Sequence, residues 1–489
     1  MKRCLTVIIS LWLAASAATA ETATPTGNKS AADIRAVWLT TVSGLDWPKR
    51  YARDEASIKL QQQELTDMLD TLRRAGVNTV MLQTRVRGTV IYPSAIEPWD
   101  ACMSGRAGVA PRYDPLNFVI NECHKRGMEL HAWIVTIPVG RWDSYGCRRM
   151  RKKYPNLVKQ IDGSGYMNPE NPLTGDIIAA VCAEIARCYD VDGIHLDYIR
   201  YPETWRIKGS KTKARANITS IVRKVHDAVR SNQRREIKLS CSPVGKYSDL
   251  SRYSSHGWNA FDKVCQDPRA WLRDGLMDQL YPMMYFKGNQ FYPFAIDWME
   301  HSYGKDIIAG LGVYFLDRRH GDWRLEEIKR QMCFARSLGM GVCFFRAQFV
   351  MENTQGLYDY LRYEHDYAPV LFNAMDNDDG SGQPTEGNGT EASADNEQQA
   401  LNTVAAFPND GNTMAAPPKG SVLDAGYIIF ETLQGTPVAV KPFNSDEINI
   451  SDIPDGAYFL RSVNRKGVTH RLGRTIIKKA SNHLKDADL

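Results

Sequence analysis

The stretch His124-Lys125-Arg126-Gly127-Met128-Glu129-Leu130-His131-Ala132-Trp133-Ile134-Val135 carries the fold in miniature. It opens on the basic last turn of an amphipathic run over 115–126, passes through a glycine, and becomes an apolar run over 129–135. Gly127 stands where a helix has to end in the left-handed region, which a residue without a Cβ adopts at no steric cost. One such helix–turn–strand unit buries little by itself. Repeated, it builds a parallel sheet with helices packed on its outside.

The unit does repeat. An amphipathic run over 56–74 leads through Ala75-Gly76-Val77 to a strand at 79–83, and one over 325–338 leads through Gly339 to a strand at 341–345. Further strand patterns lie at 35–40, 193–198, 237–241, 277–283 and 306–311, with helix patterns at 172–189 and 213–230 between them. Eight strands joined by helices predict an α/β fold, a (β/α)8 TIM barrel over 32–365, because right-handed crossovers of this number close on themselves. An open doubly wound sheet would need a glycine-rich phosphate loop after the first strand. Thr40-Thr41-Val42-Ser43-Gly44-Leu45-Asp46 offers a single glycine.

Outside the barrel, residues 1–20 read as a signal peptide: Lys2 and Arg3, an apolar run, then Ala18-Thr19-Ala20 as a cleavage site. The expected location is therefore exported, in the periplasm or cell envelope or secreted. No transmembrane segment is expected in the mature chain, since the apolar run is too short to span a bilayer. The net charge of +5 loses two positives with the leader, and the basic residues read as spread along the chain, so no nucleic-acid partner is expected. Ten cysteines without a Cys-x-x-Cys pair or a His at ligand spacing predict neither metal nor cofactor. Cys123, Cys182, Cys188, Cys333 and Cys343 read as buried small hydrophobes, while Cys102 and Cys147, both in polar loop sequence, are the pair an export-compatible disulfide would join. Residues 373–420 read as a flexible linker and 421–489 as a small β-sandwich-like module with strands near 427–432, 436–440, 457–463 and 468–475. That module holds no cluster of catalytic residue types, which leaves targeting, carbohydrate binding or spacing as its roles.

Working residues of such a barrel sit at the C-terminal ends of its strands. There the sequence places Asp197, an acid closing the apolar strand Gly193-Ile194-His195-Leu196, as the key carboxylate, with Arg85, Arg87, Arg200 or Arg346 expected to hold it ionised. Glu203 and Asp46 are the companion catalytic candidates, and Asp278 and Asp317 also fit, so the general acid stays open. Trp47, Gln83, Arg85, Arg87, Trp133, Tyr198, Arg200, Tyr281, Tyr285, Tyr314 and Arg346 are the expected substrate-binding lining. Aromatic faces with fixed polar partners suit a polysaccharide substrate. His131 and His195 read as satisfied core histidines, Asp192 as a turn residue at the barrel bottom, and Ser242-Pro243 lacks a nucleophile elbow.

Five ordered blocks carry a family resemblance: Ile34-Arg35-Ala36-Val37-Trp38-Leu39-Thr40-Thr41, Gly44-Leu45-Asp46-Trp47-Pro48, Gln83-Thr84-Arg85-Val86-Arg87-Gly88, the His124–Trp133 stretch, and Asp192-Gly193-Ile194-His195-Leu196-Asp197-Tyr198 with Tyr201-Pro202. Together they resemble the bacterial glycosyl hydrolase-like family 10. The resemblance implies a (β/α)8 fold, an envelope setting, action on glycans such as peptide-free peptidoglycan strands, and a catalytic acid at Asp197. Many members carry two consecutive aspartates there. This chain has Asp197-Tyr198, so any role of the second has to fall to another group. A likeness to the Asp-Gly-x-Asp-x-Asp-x-Glu of family 18 chitinases breaks at His195 and Ile199, although Met283-Met284-Tyr285 echoes their Met-x-Tyr; without the Glu, a mechanism of that type is not available. The expectation is an exported glycoside hydrolase of an amino-sugar glycan. The alternatives are a catalytically weak glycan-binding barrel and a hydrolase of dietary or host polysaccharide, and the oligomeric state is left open.

Overall fold

In the computed structural model, the described residues are 31–365, except 232–234, 252–254 and 363, and the strand-bearing segments between 413 and 477. The expected leader, and the expected linker up to residue 412, lie outside them. Eight parallel strands close a barrel in sequence order: β1 (Arg35–Leu39), β2 (Thr79–Arg85), β3 (Glu129–Val135), β4 (Gly193–Asp197), β5 (Lys238–Ser242), β6 (Gln279–Leu280), β7 (Asp306–Leu311) and β8 (Gly341–Phe344), with β8 returning to β1. The (β/α)8 expectation is met.

Local chemistry explains the units. The helix Glu55–Arg74 starts at Asp54, whose side chain accepts from Ser57 N–H at 2.8 Å in a capping box, and buries Leu65, Leu69 and Leu72 on one stripe. Gly76, Gly127 and Gly339 all take positive φ in the turns that follow their helices, as the cap chemistry required. Along the strands, alternation divides the core in two. Val37, Leu39, Leu130, Ile134, Ile194 and Leu196 face the helices. Ala36, Trp38, Met81, Trp133, Tyr281 and Cys343 fill the barrel itself. The same parity turns Gly193, His195 and Asp197 inward.

Several expectations need correction. β6 is only two residues long, with Met283 bridging to Val244 and Gly310 beyond it, because Pro282 has no N–H for the ladder. Cys102 and Cys147 are free buried thiols, not a disulfide. Cys188, in the last helical turn, is exposed, and Cys333 is half-buried. The loop after β3 holds an unforeseen three-stranded antiparallel sheet, Pro138–Arg141, Val158–Ile161 and Ser164–Met167, together with the helix Tyr145–Lys153. Among the described residues no helix is long and apolar enough to cross a membrane.

The C-terminal strands Ala425–Glu431, Pro437–Pro442, Gly456–Asn464 and Thr469–Ile477 form a four-stranded antiparallel sheet. Thr413–Ala415, inside the stretch read as linker, pairs with Glu447–Asn449, and Met414 and Ile448 pack on Ile428, Phe430 and Leu460 to give a separate small core.

Candidate active site

Asp197 ends β4 between Val135 of β3 and Ser242 of β5, its register partners. That placement brings donors to it. Trp133 Nε1–H donates to Oδ2 at 3.1 Å, and the Ser242 hydroxyl donates to Oδ1 at 2.8 Å. Tyr198 adopts a left-handed φ of +57°, which turns its N–H back onto Oδ1 at 2.8 Å. A bulky residue in that region stores strain of about 1–3 kcal/mol, the kind of outlier that gathers at working sites. The expected arginines do not pair with Asp197. Arg85 is fully buried and grips Glu97 at 2.7 and 2.8 Å, Arg200 pairs with Glu203, Arg346 with Asp46, and Arg87 is exposed on the β2 loop. Three neutral donors hold the carboxylate instead, and this needs no cation.

The other carboxylates are engaged elsewhere. Glu203 accepts from the Tyr198 hydroxyl at 2.5 Å and from Arg200 Nη2 at 2.7 Å. Burial pushes its carboxyl up, but the Arg200 charge and the Tyr198 hydrogen bond outweigh that and leave it below the ordinary value. Asp46 is almost wholly buried and ties the β1 and β8 loops together, accepting from Thr40 N–H at 2.7 Å, Thr40 Oγ1 at 2.6 Å, Gln348 N–H at 3.0 Å and Arg346. Asp278 lies at the opposite end, bonded to Arg230 at 2.5 Å, and Asp317 is clamped by Arg319, which with its own N–H holds the carboxyl down at about 2. Asp192 accepts from Leu130 N–H at 2.7 Å at the barrel bottom.

Of the expected lining, the structure gathers Trp133, Tyr198, Arg200, Tyr285 and Tyr314 near Asp197. The Tyr285 ring lies 5.7 Å from Tyr314 and 5.6 Å from Phe345, and the Arg200 guanidinium stacks 3.7 Å over Tyr198, with its Nε and Nη1 buried and lacking a hydrogen-bond partner among the described residues. Burial above all, with the Cys343 thiol and the Asp197 charge adding, raises the Tyr285 hydroxyl well above its ordinary value, so it stays a donor. Trp47 is not gathered: its ring is fully buried and its Nε1–H donates to Gln61 O at 2.9 Å. Gln83 fixes the β1 loop by accepting from Thr41 and Val42 N–H, and Tyr281 is sealed inside the barrel against His195 at 5.2 Å. His195 is the satisfied core histidine expected. Trp38 Nε1–H donates to its Nε2 at 3.3 Å and its Nδ1 meets Ser240 Oγ at 2.9 Å, while burial pushes its pKa down to about 3. His131 keeps a contact with Glu129 through Nε2, but its buried Nδ1 has no partner among the described residues.

Ser242 and Phe345 were missed as site residues. Ser242 closes β5 and Phe345 directly follows β8, so strand position marked both without assigning either a role. As for metals, Asp297, Glu300 and His301 are the one such group among the described residues with ligand atoms within 4.8 Å of one another, and Arg269 already holds both Asp297 oxygens at 2.5 Å.

Residues 33–214 match the model of the family described as glycosyl hydrolase-like 10. The chain is 32% identical over 296 residues to the glycosyl hydrolase DigH of Escherichia coli K12, covering 53% of this chain and 67% of that one. The chain belongs to the glycosyl hydrolase-like 10 family. It is also 26% identical over 381 residues to the glycosyl hydrolase YngK of Bacillus subtilis, covering 70% of this chain and 74% of that relative. Among solved structures, the PgaB (BpsB) glycoside hydrolase domain of Bordetella bronchiseptica aligns with 67% of this chain and 98% of its own, at 15% identity and a TM-score of 0.49. The α-L-fucosidase isoenzyme 2 of Paenibacillus thiaminolyticus aligns at 12% identity and a TM-score of 0.46, and this chain spans half of its length. Asp197, Trp133 and Tyr198 lie in the matched residues 33–214, whereas Ser242, Tyr285, Tyr314 and Phe345 come from beyond them.

Proposed function

We propose that this glycosyl hydrolase-like 10 protein is an exported glycoside hydrolase acting on an amino-sugar glycan, with peptidoglycan strands as its substrate and Asp197 as its essential carboxylate. The observation that carries the reading is the half-buried Asp197 carboxylate, fixed by Trp133, Ser242 and Tyr198 N–H beside an aromatic corner. A carboxylate oriented by neutral donors keeps its charge available for the oxocarbenium-like centre of glycoside cleavage. Tyr198, Tyr285 and Tyr314 offer faces to sugar rings, Tyr285 supplies a protonated hydroxyl, and the buried Trp133 serves through its N–H on Asp197. Glu203 acts as a positioning residue for Arg200 and Tyr198. DigH and YngK, both named glycosyl hydrolases, support the reaction class.

A second reading, a barrel that binds glycan without turning it over, is favoured by one observation. Glu203, Asp46, Asp278 and Asp317 are each engaged by an arginine, so none of the four is a free acid beside Asp197. One assay separates the two readings. Purified protein is incubated with peptide-free glycan strands, and shorter oligosaccharides are followed by mass spectrometry. Asp197→Asn is expected to lower kcat by about 100-fold or more, the scale of a lost electrostatic stabiliser. Equal rates for the two proteins would sink the hydrolase reading, and tight binding with no product would establish the second.

A further inference from the structure

Beyond the Asp197 corner, the loops after β1, β2 and β3 enclose a cleft of about 600 Å³ lined by Lys49, Tyr51, Arg87, Asp100 and Tyr145 among others. More cations flank the lining: the exposed Arg53 lies over the Tyr51 ring at 5.3 Å and the exposed Arg149 over the Tyr145 ring at 5.8 Å. Asp100 is already committed, accepting from Thr89 Oγ1 at 2.6 Å and from Cys102 N–H at 2.8 Å. The Lys49 ammonium donates to the main-chain carbonyls of Gly44 and Leu45.

Here the expectation of evenly spread basic residues fails. The helix Tyr145–Lys153 reads YGCRRMRKK: five cations and no acid. It buries Gly146, Cys147 and Met150 and exposes Arg148, Arg149, Lys152 and Lys153. Close packing pins it to the cleft, because a Cβ on Gly146 would lie 2.6 Å from Arg87 O and 2.8 Å from Gly88 O. So many like charges on nine residues repel one another, and that repulsion is relieved when a ligand brings the opposite charge.

We propose that this cleft is a distal subsite for an anionic glycan. The Tyr51 and Tyr145 rings take sugar faces, and Lys49, Arg53, Arg87 and Arg149 take carboxylates spaced along the strand. β3 borders β4, so a glycan seated here continues towards Asp197, and the cleft selects charged strands over neutral ones. The assignment rests on reading the chain as a glycan-acting protein, though not on its turnover. Carboxylate and phosphate substituents share the required chemistry, and the experiment tells them apart.

Full-length protein carrying Asp197→Asn keeps the ligand intact, so binding is read apart from cleavage. Calorimetry compares peptide-free peptidoglycan strands with free carboxylates, the same strands with their carboxylates converted to methylamides, a poly(glycerol phosphate) and single-stranded DNA. Free-carboxylate strands are expected to bind about tenfold more tightly than amidated ones, with affinity falling as salt rises. Arg87→Ala with Arg149→Ala should weaken that binding by about tenfold, roughly threefold for each exposed guanidinium, and leave the amidated strands unaffected. Arg87→Lys with Arg149→Lys should restore most of it, which separates charge from folding. Equal response of poly(glycerol phosphate) to the two substitutions would keep the anionic subsite and name phosphate as its partner. Equal affinity for free and amidated strands, or DNA binding tighter than glycan, overturns the proposal. Absence of hydrolysis by the unmutated chain, with this binding pattern intact, would defeat only the hydrolase reading.

Discussion

At Asp197, an indole N–H, a hydroxyl and a peptide N–H together take the place of the arginine that Glu203, Asp46, Asp278 and Asp317 have found. The difference matters because an arginine partner holds a carboxylate ionised but also spends its charge. Glu203 is the contrasting case: with Arg200 and Tyr198 on it and its carboxyl below the ordinary value, it is a poor proton donor near neutral pH. A general acid needs its pKa raised towards the working pH. Glu203→Gln is therefore expected to reduce kcat by less than about tenfold and to leave the alkaline limb of the pH–rate profile where it was. Movement of that limb on substitution would make Glu203 the acid after all. Sequence position was enough to single out Asp197. It could not show that no arginine reaches it, because Arg200 and Arg85 turn to carboxylates three and 12 residues along the chain and Arg346 to one 300 residues away.

At the scale of elements, the β3–β4 pair is closely fitted. A Cβ on Gly193 would fall 2.4 Å from Nδ1 of the fully buried His131, and the strands cannot part without breaking the barrel ladder. Gly193→Ala is expected to cost about 1–3 kcal/mol, the range for overpacking, read as a lowered midpoint in urea unfolding. An unchanged midpoint would mean that the histidine rotates away freely. Two residues along β4, His195 is held neutral by burial with a pKa of about 3 against an ordinary 6.5. Above pH 6.5 both folded and unfolded chains carry it uncharged. Between 6.5 and about 3 the unfolded chain binds a proton that the folded one refuses, so this residue's contribution to stability is lost as pH falls. Replacing it with Gln should remove up to about 1.4 kcal/mol per pH unit from the acid slope of unfolding between pH 6 and 4. Identical slopes in the two proteins would show that His195 does not titrate on unfolding.

Across the whole molecule, the described residues hold a small C-terminal core apart from that of the barrel. The barrel core and the cluster of Met414, Ile428, Phe430, Ile448 and Leu460 share no residue, and the second is far smaller. Ten of the 11 tryptophans lie between Trp38 and Trp323 and the other, Trp12, in the expected leader, so none of them reports on the C-terminal sheet. Denaturation of the full chain is expected to show a first transition in circular dichroism at low denaturant, with fluorescence unchanged, and then a second in both. Coincident transitions would make barrel and C-terminal sheet one cooperative unit.

The sequence by itself determined the barrel. Eight apolar strand runs, five helix periodicities between them and glycine at three caps are local signals, and the parity of β4 carried Asp197 inward with them. The short β6 and the sheet inside the β3 loop were less legible: a proline cut one strand pattern short, and runs such as Val158–Ile161 are too brief and polar to stand out. What only the tertiary structure decided was pairing. Trp47, Gln83, Arg85 and Asp46 stand at strand ends like true site residues, yet they are consumed in holding loops, and Ser242 is brought to Asp197 by register across 45 residues. Hydrogen bonds and ion pairs act over a few ångströms between groups far apart in the chain. Which donor meets which carboxylate is therefore settled only when the barrel closes.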